Sequence, residues 1–260
     1  MAQYRIDSQQ FLPNGTTIFE TNMLADKNGN IINSFGNASN IPIAAGQVAG
    51  YSHINKFGFN PNVGTGYESV TDVGGTFPTI TTAAAVTVSS DASANGDDGL
   101  SVELQGLDAN YNLQTEVVAI AGATVTTSNT YIRLFRATVQ STNTGELTLK
   151  IGTTVIDTIE EGAGQTLMAV YTVPAGKTAY LIKFQGSVEK DTSVIFRLMA
   201  APFGGSDNIK GQYGSFGSSV TYDYPIPLVF TEKTDIEIQV KALGTTGAGA
   251  IFDLILVDNA

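Results

Sequence analysis

The apolar residues of this chain fall into short runs that turn signals interrupt, and this pattern limits the possible fold more than any other feature. Turn-forming residues recur at Asn14-Gly15, at Asn28-Gly29, at residues 108–112 and at residues 174–177. Short strands at intervals of about 8–12 residues, with turn signals of this kind between them, are typical of sandwiches and barrels. No stretch has the Leu, Lys, Glu and Arg that a long amphipathic helix needs. An all-β fold is therefore expected.

Several segments alternate apolar and polar residues, as β-strands with one buried face do. Residues 100–107 and 113–120 flank the 108–112 turn and predict a hairpin, and residues 235–241 have the cleanest alternation of all. Residues 250–257 are apolar on both faces, which favours a central or subunit-contacting strand. The Gly-rich stretches 51–67 and 203–217 are interpreted as loops. The other predicted strands are residues 83–90, 131–140, 146–151, 154–159, 166–173, 178–188, 193–199, 218–222 and 226–230.

The length of 260 residues allows one large β-domain or two small ones. We favour two small antiparallel, jelly-roll-like β-sandwiches at residues 51–162 and 163–260, preceded by an extended N-terminal arm at residues 1–50. A single larger sandwich is the competing interpretation. No strict internal repeat occurs, which disfavours a propeller or a β-helix.

Residues 1–50 differ from the rest because their apolar residues are scattered between turn signals. An extended arm or short hairpins fit this pattern better than a packed unit does. An arm that cannot bury its own apolar side chains is expected to lie on the body of the protein, on a neighbouring subunit or on a larger assembly. The residues predicted to make this contact are Phe11, Leu12, Ile18, Phe19, Ile31 and Ile32.

The charge balance and the missing cysteines exclude several classes of function. With 13 basic and 24 acidic residues the net charge is −11, which disfavours nucleic acids and anionic membrane surfaces as partners. The absence of cysteine excludes disulfides, thiolate metal sites and thiol nucleophiles. The N-terminus lacks the apolar core of a signal peptide, and no apolar run is long enough to span a membrane.

The single histidine, His53, lies in a Gly- and Asn-rich stretch without a nucleophile-elbow pattern, so no catalytic triad is predicted. A calcium site is a candidate at Asp91, Asn95 and Asp97, although Val102 stands where an EF-hand loop would place its last acidic ligand. The alternative for that segment is a solvated hairpin loop. No cofactor is predicted. The aromatic residues Phe203, Tyr213 and Phe216 lie among glycines and are interpreted as adaptable contact residues, with structural packing as the alternative.

Three segments resemble virion structural proteins of tailed phages of aquatic bacteria: NPNVG at residues 60–64, QGLDANYN at 105–112 and QTLMAVYTVPAGKT at 165–178. They are turn-and-strand motifs within residues 57–257 and carry no catalytic residues. The resemblance implies a β-rich particle component that is present in many copies, located in the virion. It leaves the head, the neck and the tail open as locations.

The leading hypothesis is therefore a non-enzymatic capsid-associated protein of the decoration, cement or head-fibre type. It would bind the major capsid protein or another virion protein through residues 1–50 and would form a homo-oligomer, with a trimer as the first expectation. The second hypothesis is a tail or fibre adhesin that contacts a host surface receptor through residues 57–67 and 203–217. A glycan depolymerase is the third, and it is disfavoured because the adjacent acidic pairs Asp97-Asp98 and Glu160-Glu161 point to opposite faces of a strand.

Overall fold

The computed structural model describes residues 24–25, 31–32, 40–92 and 96–259, and they form almost entirely β structure in antiparallel sheets. The predicted all-β fold class is confirmed. The chain divides into two compact units, residues 1–52 and residues 53–260. In the first unit, β1 (Leu24–Ala25) pairs antiparallel with β2 (Ile31–Ile32), which is the pairing of a short hairpin, and α1 spans Asn40–Ala44.

The remaining strands carry the rest of the described chain. In chain order they are β3 (Tyr51–Val63), β4 (Glu68–Ser69), β5 (Ala84–Ser90), β6 (Ser101–Leu107), β7 (Leu113–Ala119), β8 (Thr124–Tyr131), β9 (Arg133–Val139), β10 (Leu147–Ile151), β11 (Thr154–Ile159), β12 (Val170–Thr172), β13 (Lys177–Val188), β14 (Ser193–Ala201), β15 (Asn208–Phe216), β16 (Val220–Phe230), β17 (Asp235–Ala242) and β18 (Thr246–Asp258). Within the described residues, no helix has the length and apolar character needed to cross a membrane.

Two of the larger sheets pack face to face. One has the order β16-β13-β18-β3, and the other has the order β12-β17-β14-β15 with β4 paired to β17. Phe184 on β13 and Phe196 on β14 meet between them with ring centroids 6.0 Å apart, and both side chains are fully buried. On β17 the alternate residues Ile236, Ile238 and Val240 are buried, which confirms the predicted alternation. The central position of β18 is confirmed as well, since it lies between β13 and β3.

Two further sheets use residues 84–159, with the orders β11-β10-β5-β8 and β7-β6-β9. The predicted hairpin is confirmed, because β6 and β7 pair antiparallel from Ser101↔Ala119 to Leu107↔Leu113. Alternate residues such as Val86 and Val88 on β5 and Val102 and Leu104 on β6 are fully buried. The core residues of all four sheets are continuous with one another.

The segment 51–67 is not the predicted loop, because β3 occupies most of it and extends the sheet of β18. Alternate positions of β3 are buried at Lys56, Gly58 and Asn60, none of which is a large apolar residue, and the one buried apolar residue of the strand, Val63, falls outside this alternation. An apolar alternation rule therefore misses this strand. Both β3 and β4 pair with strands from beyond residue 162, and the division at that residue into two sandwiches stays a prediction.

Other boundaries also differ from the sequence-based expectations. The predicted Gly-rich loop 203–217 contains β15, whose backbone N–H and C=O groups form antiparallel hydrogen bonds with β14. The predicted strands 218–222 and 226–230 are parts of one strand, β16, whose pairing with β13 is interrupted around Pro225 and Pro227. These prolines lack an amide hydrogen and are tolerated because β16 is an edge strand. Strand β8 was not predicted, because its Thr, Ser and Asn residues give no apolar alternation. Of the predicted strand 166–173, only Val170–Thr172 forms a strand, β12.

Candidate functional site

A cleft of about 560 Å³ opens where turns from several strands meet. Tyr111 reaches it from the β6–β7 turn, Phe203 from the segment after β14, and Lys233 from the turn before β17. The rings of Tyr111 and Phe203 lie edge to face with centroids 5.6 Å apart. The Lys233 ammonium lies 5.6 Å from the first ring and 5.2 Å from the second, within the range of a cation–π contact. We call this surface the aromatic cleft.

Two residues of the aromatic cleft have left-handed backbone conformations. Tyr111 has φ 66° and Lys233 has φ 61°, and among the described residues no other non-glycine residue has a positive φ. This conformation costs about 1–2 kcal/mol for a residue with a Cβ atom, and such strain clusters at functional sites. The amide of Ala175 donates to the Tyr111 carbonyl at 2.9 Å, and the Lys233 amide donates to the Val173 carbonyl at 2.7 Å. The β12–β13 connection therefore holds both residues in place.

An ion pair between Arg133 and Asp235 lines the aromatic cleft. Arg133 donates from Nε and Nη2 to the two oxygens of Asp235 at 2.8 and 2.7 Å, and from Nη1 to the carbonyls of Ile80 and Ile132. Asp235 also accepts from the Thr172 hydroxyl at 2.6 Å. Burial alone would lower the pKa of Arg133, but its hydrogen bonds with Asp235 raise it instead. This pair shapes the cleft and uses four of the five N–H groups of the guanidinium.

A smaller chamber of about 130 Å³ adjoins the aromatic cleft, since Arg133, Asp207 and Asp235 line both. Tyr171 is 2% exposed, and within the described residues neither its hydroxyl nor Oε1 of Glu237 has a hydrogen-bond partner. Both residues line the chamber, but Tyr171 pairs with Ile236 and Glu237 pairs with Val170, so the Tyr171 ring and the Glu237 carboxyl lie on opposite faces of the sheet. Burial raises the pKa of Glu237 to about 7, so the protonated and the ionised forms of this side chain coexist near neutral pH. We call this space the inner chamber.

Buried charges form a second group of ionisable residues. Lys56 on β3 is 3% exposed, and its ammonium donates to the Phe135 carbonyl. Burial lowers the pKa of Lys56 well below its ordinary value and raises the pKa of Asp157 well above its own. Burial also raises the pKa of Asp72 to about 7, while its carboxylate accepts from the Leu167 amide at 3.0 Å. Their hydrogen bonds connect β3 to β9, and the segment after β4 to β11 and to the segment before β12.

The outermost strands β15 and β16 lie next to each other at one side of the face-to-face sheets. Tyr213 of β15 and Tyr224 of β16 share a hydrogen bond between their hydroxyls at 2.5 Å. Large apolar side chains remain exposed along both strands, and Ile226 reaches 84% exposure. We call this surface the open edge, and its exposed apolar residues are Ile209, Phe216, Tyr222, Ile226 and Val229.

The three aromatic residues predicted to make contacts have different environments. Phe203 is exposed in the aromatic cleft, and Phe216 is exposed on the open edge. Tyr213 is half-buried and stacks on Phe184 with ring centroids 4.7 Å apart. The structure therefore does not bring the three side chains to one surface, and Tyr213 serves packing.

The residues of the predicted calcium site do not form a common site either. Asn95 lies outside the described residues. Asp97 is 2% exposed and accepts hydrogen bonds from Ser90, Thr144 and the Gly145 amide, which lower its pKa although burial opposes this. Asp91 accepts from the Glu146 amide at 2.7 Å. Both carboxylates thus hold residues 144–146 in place, and among the described residues no group of three or more His, Asp or Glu side chains is arranged to hold a metal ion.

The structure describes only some of the other residues named in the sequence analysis. Phe11, Leu12, Ile18 and Phe19 lie outside the described residues, and Ile31 and Ile32 form β2. His53 is bound to Asp253 through Nε2 at 3.1 Å. Asn55 donates to the same carboxylate oxygen at 2.7 Å, which makes this a surface polar cluster between β3 and β18.

No family model matches this chain, and no curated protein matches it either. Among solved structures it is similar to infectious bursal disease virus proteins. The Gt strain structure gives 12% identity over 80% of this chain and 72% of that chain, with a TM-score of 0.22. The VP2 subviral particle gives 10% identity over 81% and 77%, with a TM-score of 0.19. These TM-scores are too low to define a shared fold.

Sequence reasoning singled out Phe203 but missed the residues that surround it. Tyr111 lies within the resembling segment 105–112, where its turn was predicted but its left-handed conformation was not. Lys233 follows Glu232 in a short polar turn that has no distinctive pattern. Arg133 and Asp235 are far apart in the chain, so only the three-dimensional structure shows that they pair.

Proposed function

We propose that this chain is a non-enzymatic virion structural protein of the capsid decoration, cement or head-fibre type. It acts as a homo-oligomer, and residues 1–50 attach it to the major capsid protein or to another virion protein. The resemblance to phage virion proteins and the net charge of −11 support this proposal. The observation that carries it is the open edge, because five large apolar side chains on two outer strands indicate a surface for association.

The open edge favours contact through side chains over the addition of a further strand. Pro225 and Pro227 interrupt β16 and cannot donate backbone hydrogen bonds. The pairing of β16 with β13 jumps from Asp223 to Leu228, so the intervening residues bulge away from the ladder. Prolines and bulges on an edge strand oppose uncontrolled sheet extension. The exposed side chains can then pack in a closed trimer.

Replacing Ile226 with aspartate is expected to dissociate the oligomer. Burying a side chain of this size stabilises an interface by about 2 kcal/mol, so a buried charge in its place raises the dissociation constant by at least about 30-fold. Sedimentation equilibrium on the 27.3-kDa chain measures this change directly.

The matched control for this change is Val117→Asp, because Val117 is 50% exposed on β7, in a different sheet. It should leave the mass of the oligomer unchanged. A monomeric wild-type chain, or equal dissociation by both variants, would contradict the assignment of the open edge as the interface.

Removal of residues 1–50 tests the attachment to the particle. The truncated chain keeps β3 whole and keeps residues 53–260, which form a compact unit. We expect it to remain folded by circular dichroism but not to bind emptied particles, whereas the full chain binds at a stoichiometry near that of the capsid protein. Normal incorporation of the truncated chain would show that residues 1–50 are not the anchor.

A tail or fibre adhesin is the second candidate, and the exposed Phe203 ring in the aromatic cleft favours it. An adhesin would be scarce in the particle, and the purified protein would block infection. A decoration protein would be abundant and would not compete for host cells.

A further inference from the structure

The sheet β16-β13-β18-β3 is apolar on both of its faces. On the inner face, Phe184 of β13 and its cross-strand neighbour Phe252 of β18 are fully buried against the opposing sheet. Because successive strand residues point to opposite faces, the residues between these buried positions point outward. On β18 the outward residues Ile251, Ile255 and Val257 are apolar, and only Asp253 interrupts them. We call the outward surface of these four strands the outer face.

The neighbouring strands continue this apolar surface. Tyr180 of β13 lies opposite Ile255 of β18 on one side and Val229 of β16 on the other. On β3, Phe57 and Phe59 alternate with the buried positions and therefore point outward as well. The apolar residues of the outer face are Phe57, Phe59, Tyr180, Val229, Ile251, Ile255 and Val257. Val229 is 59% and Ile251 is 39% exposed, and the other five are half-buried. The second face of an antiparallel sheet is usually polar when it faces water, so this composition indicates a surface for association.

The outer face is large enough for a stable interface between two proteins. Its strands have between 11 and 13 residues. At about 3.4 Å per residue and about 4.8 Å between strands, four such strands cover about 40 Å by about 19 Å, or about 760 Å². A standard stable interface buries about 800 Å² on each partner. The outer face alone can therefore supply one complete interface.

The charges of the outer face favour a second copy of this chain as the occupant. The chain has a net charge of −11, so two copies repel each other wherever both present acidic surface. Within the four described strands, the outward charged side chains are Lys183, Asp223 and Asp253, and the pairing places Lys183 between the two aspartates. A twofold axis between Lys183 and Asp253 sets the lysine of each copy opposite the aspartate of the other. The outer face is thus nearly neutral and complementary to itself.

We propose that the outer face packs against the outer face of a second copy of this chain around a twofold axis. The two sheets lie face to face with their strands about 30° apart, as in aligned sheet packing. This interface shares only Val229 with the open edge, so it adds a second contact to the proposed homo-oligomer and does not depend on the first. Twofold pairing gives an even number of chains, and two trimers joined in this way would contain six.

The test is sedimentation equilibrium of the full-length protein and its Ile251→Asp variant. The wild-type chain should form an even-numbered oligomer at about 10 µM, because interfaces of standard size have a Kd in the micromolar range or below. Ile251→Asp places a charge in the centre of each buried face and should halve the mass, with a rise in Kd of at least about 30-fold. Val155→Asp is the matched control, because Val155 is also 39% exposed but lies on β11 in another sheet. It should leave the mass unchanged.

Lys183→Glu is a second variant, which decides the question if circular dichroism shows that Ile251→Asp does not fold. It makes all three outward charges acidic, so it should raise the Kd at least about tenfold at low ionic strength. The rise should be smaller at about 1 M salt, where the screening length falls to about 3 Å.

The Ile226→Asp variant separates the two interfaces. If the outer face pairs, Ile226→Asp should still be a dimer. A wild-type trimer that Ile226→Asp dissociates and Ile251→Asp leaves whole would overturn the outer-face pairing and support the open edge. A wild-type dimer that only Ile251→Asp dissociates would support the outer face and count against the open edge. Equal dissociation by Ile251→Asp and Val155→Asp, or a monomeric wild-type chain, would also overturn the pairing.

Discussion

Gly58→Ala is expected to lower the free energy of unfolding by about 3 kcal/mol or more. A Cβ atom at Gly58 would lie 2.1 Å from the Val70 carbonyl oxygen and 2.3 Å from the Ala169 nitrogen. These two atoms form a 2.9 Å hydrogen bond with each other, so the methyl group would separate its donor from its acceptor. Overpacking typically costs 1–3 kcal/mol, and the broken buried hydrogen bond adds to it.

Urea denaturation followed by tyrosine fluorescence measures this effect, since the chain has ten tyrosines and no tryptophan. Gly66→Ala is the control, because a Cβ atom there would meet nothing within 4 Å and its φ is not positive. The control should change the free energy of unfolding by less than about 0.5 kcal/mol. If the two variants are equally stable, β3 does not approach residues 70 and 169 as closely as the structure indicates.

Glu237→Gln is expected to stabilise the protein at pH 8 by about 2 kcal/mol relative to its effect at pH 5. Burial raises the pKa of Glu237 to about 7 in the folded state, whereas the unfolded chain should have the ordinary glutamate value near 4.3. The folded state therefore holds a proton that the unfolded state has lost. This contribution to stability is complete below about pH 4 and is lost as the pH rises through 7. The amide resembles the protonated acid and does not titrate.

The measurement is the free energy of unfolding of both proteins at pH 5 and pH 8. In addition to burial, Gln239, Ser69 and Arg197 lower the pKa of Glu237 and Asp207 raises it. All four residues remain in the variant, so the double difference isolates the one carboxyl group. Glu161→Gln changes an exposed carboxylate and should show no such pH dependence. An equal effect of Glu237→Gln at the two pH values would mean that the carboxyl group is solvated and that the inner chamber is not closed around it.

The strands that could be predicted from the sequence are those whose buried positions are apolar. Strand β17 is the best case, because Ile236, Ile238 and Val240 alternate with charged residues and are all buried. Strand β3 fails the same test although its geometry is just as regular. Its alternating buried positions hold Lys56, Gly58 and Asn60, which provide a buried ammonium, a close backbone approach and side-chain hydrogen bonds. Specific contacts of this kind leave no periodic signal in the sequence.

The candidate site was less predictable than the fold. The interpretation of Phe203 as a contact residue rested on its neighbouring glycines, and the structure places it in the aromatic cleft. Its partners Tyr111 and Lys233 come from turns that are distant in the chain, and Glu237 of β17 lines the chamber that adjoins the cleft. A cleft that several loops assemble depends on topology, which local patterns do not contain.

The pairing of β3 with β18 has a consequence for how the protein is made. The first long strand of the described chain has its sheet partner in the last one, so the ribosome releases almost the whole described length before this pair can form. Until then β3 has an unsatisfied edge, and contacts between such distant segments are slow to form. The sheets of residues 84–159 have all their partners within that range and can form first during synthesis. The pairing of β3 with β18 is then expected to be a late step in folding during synthesis.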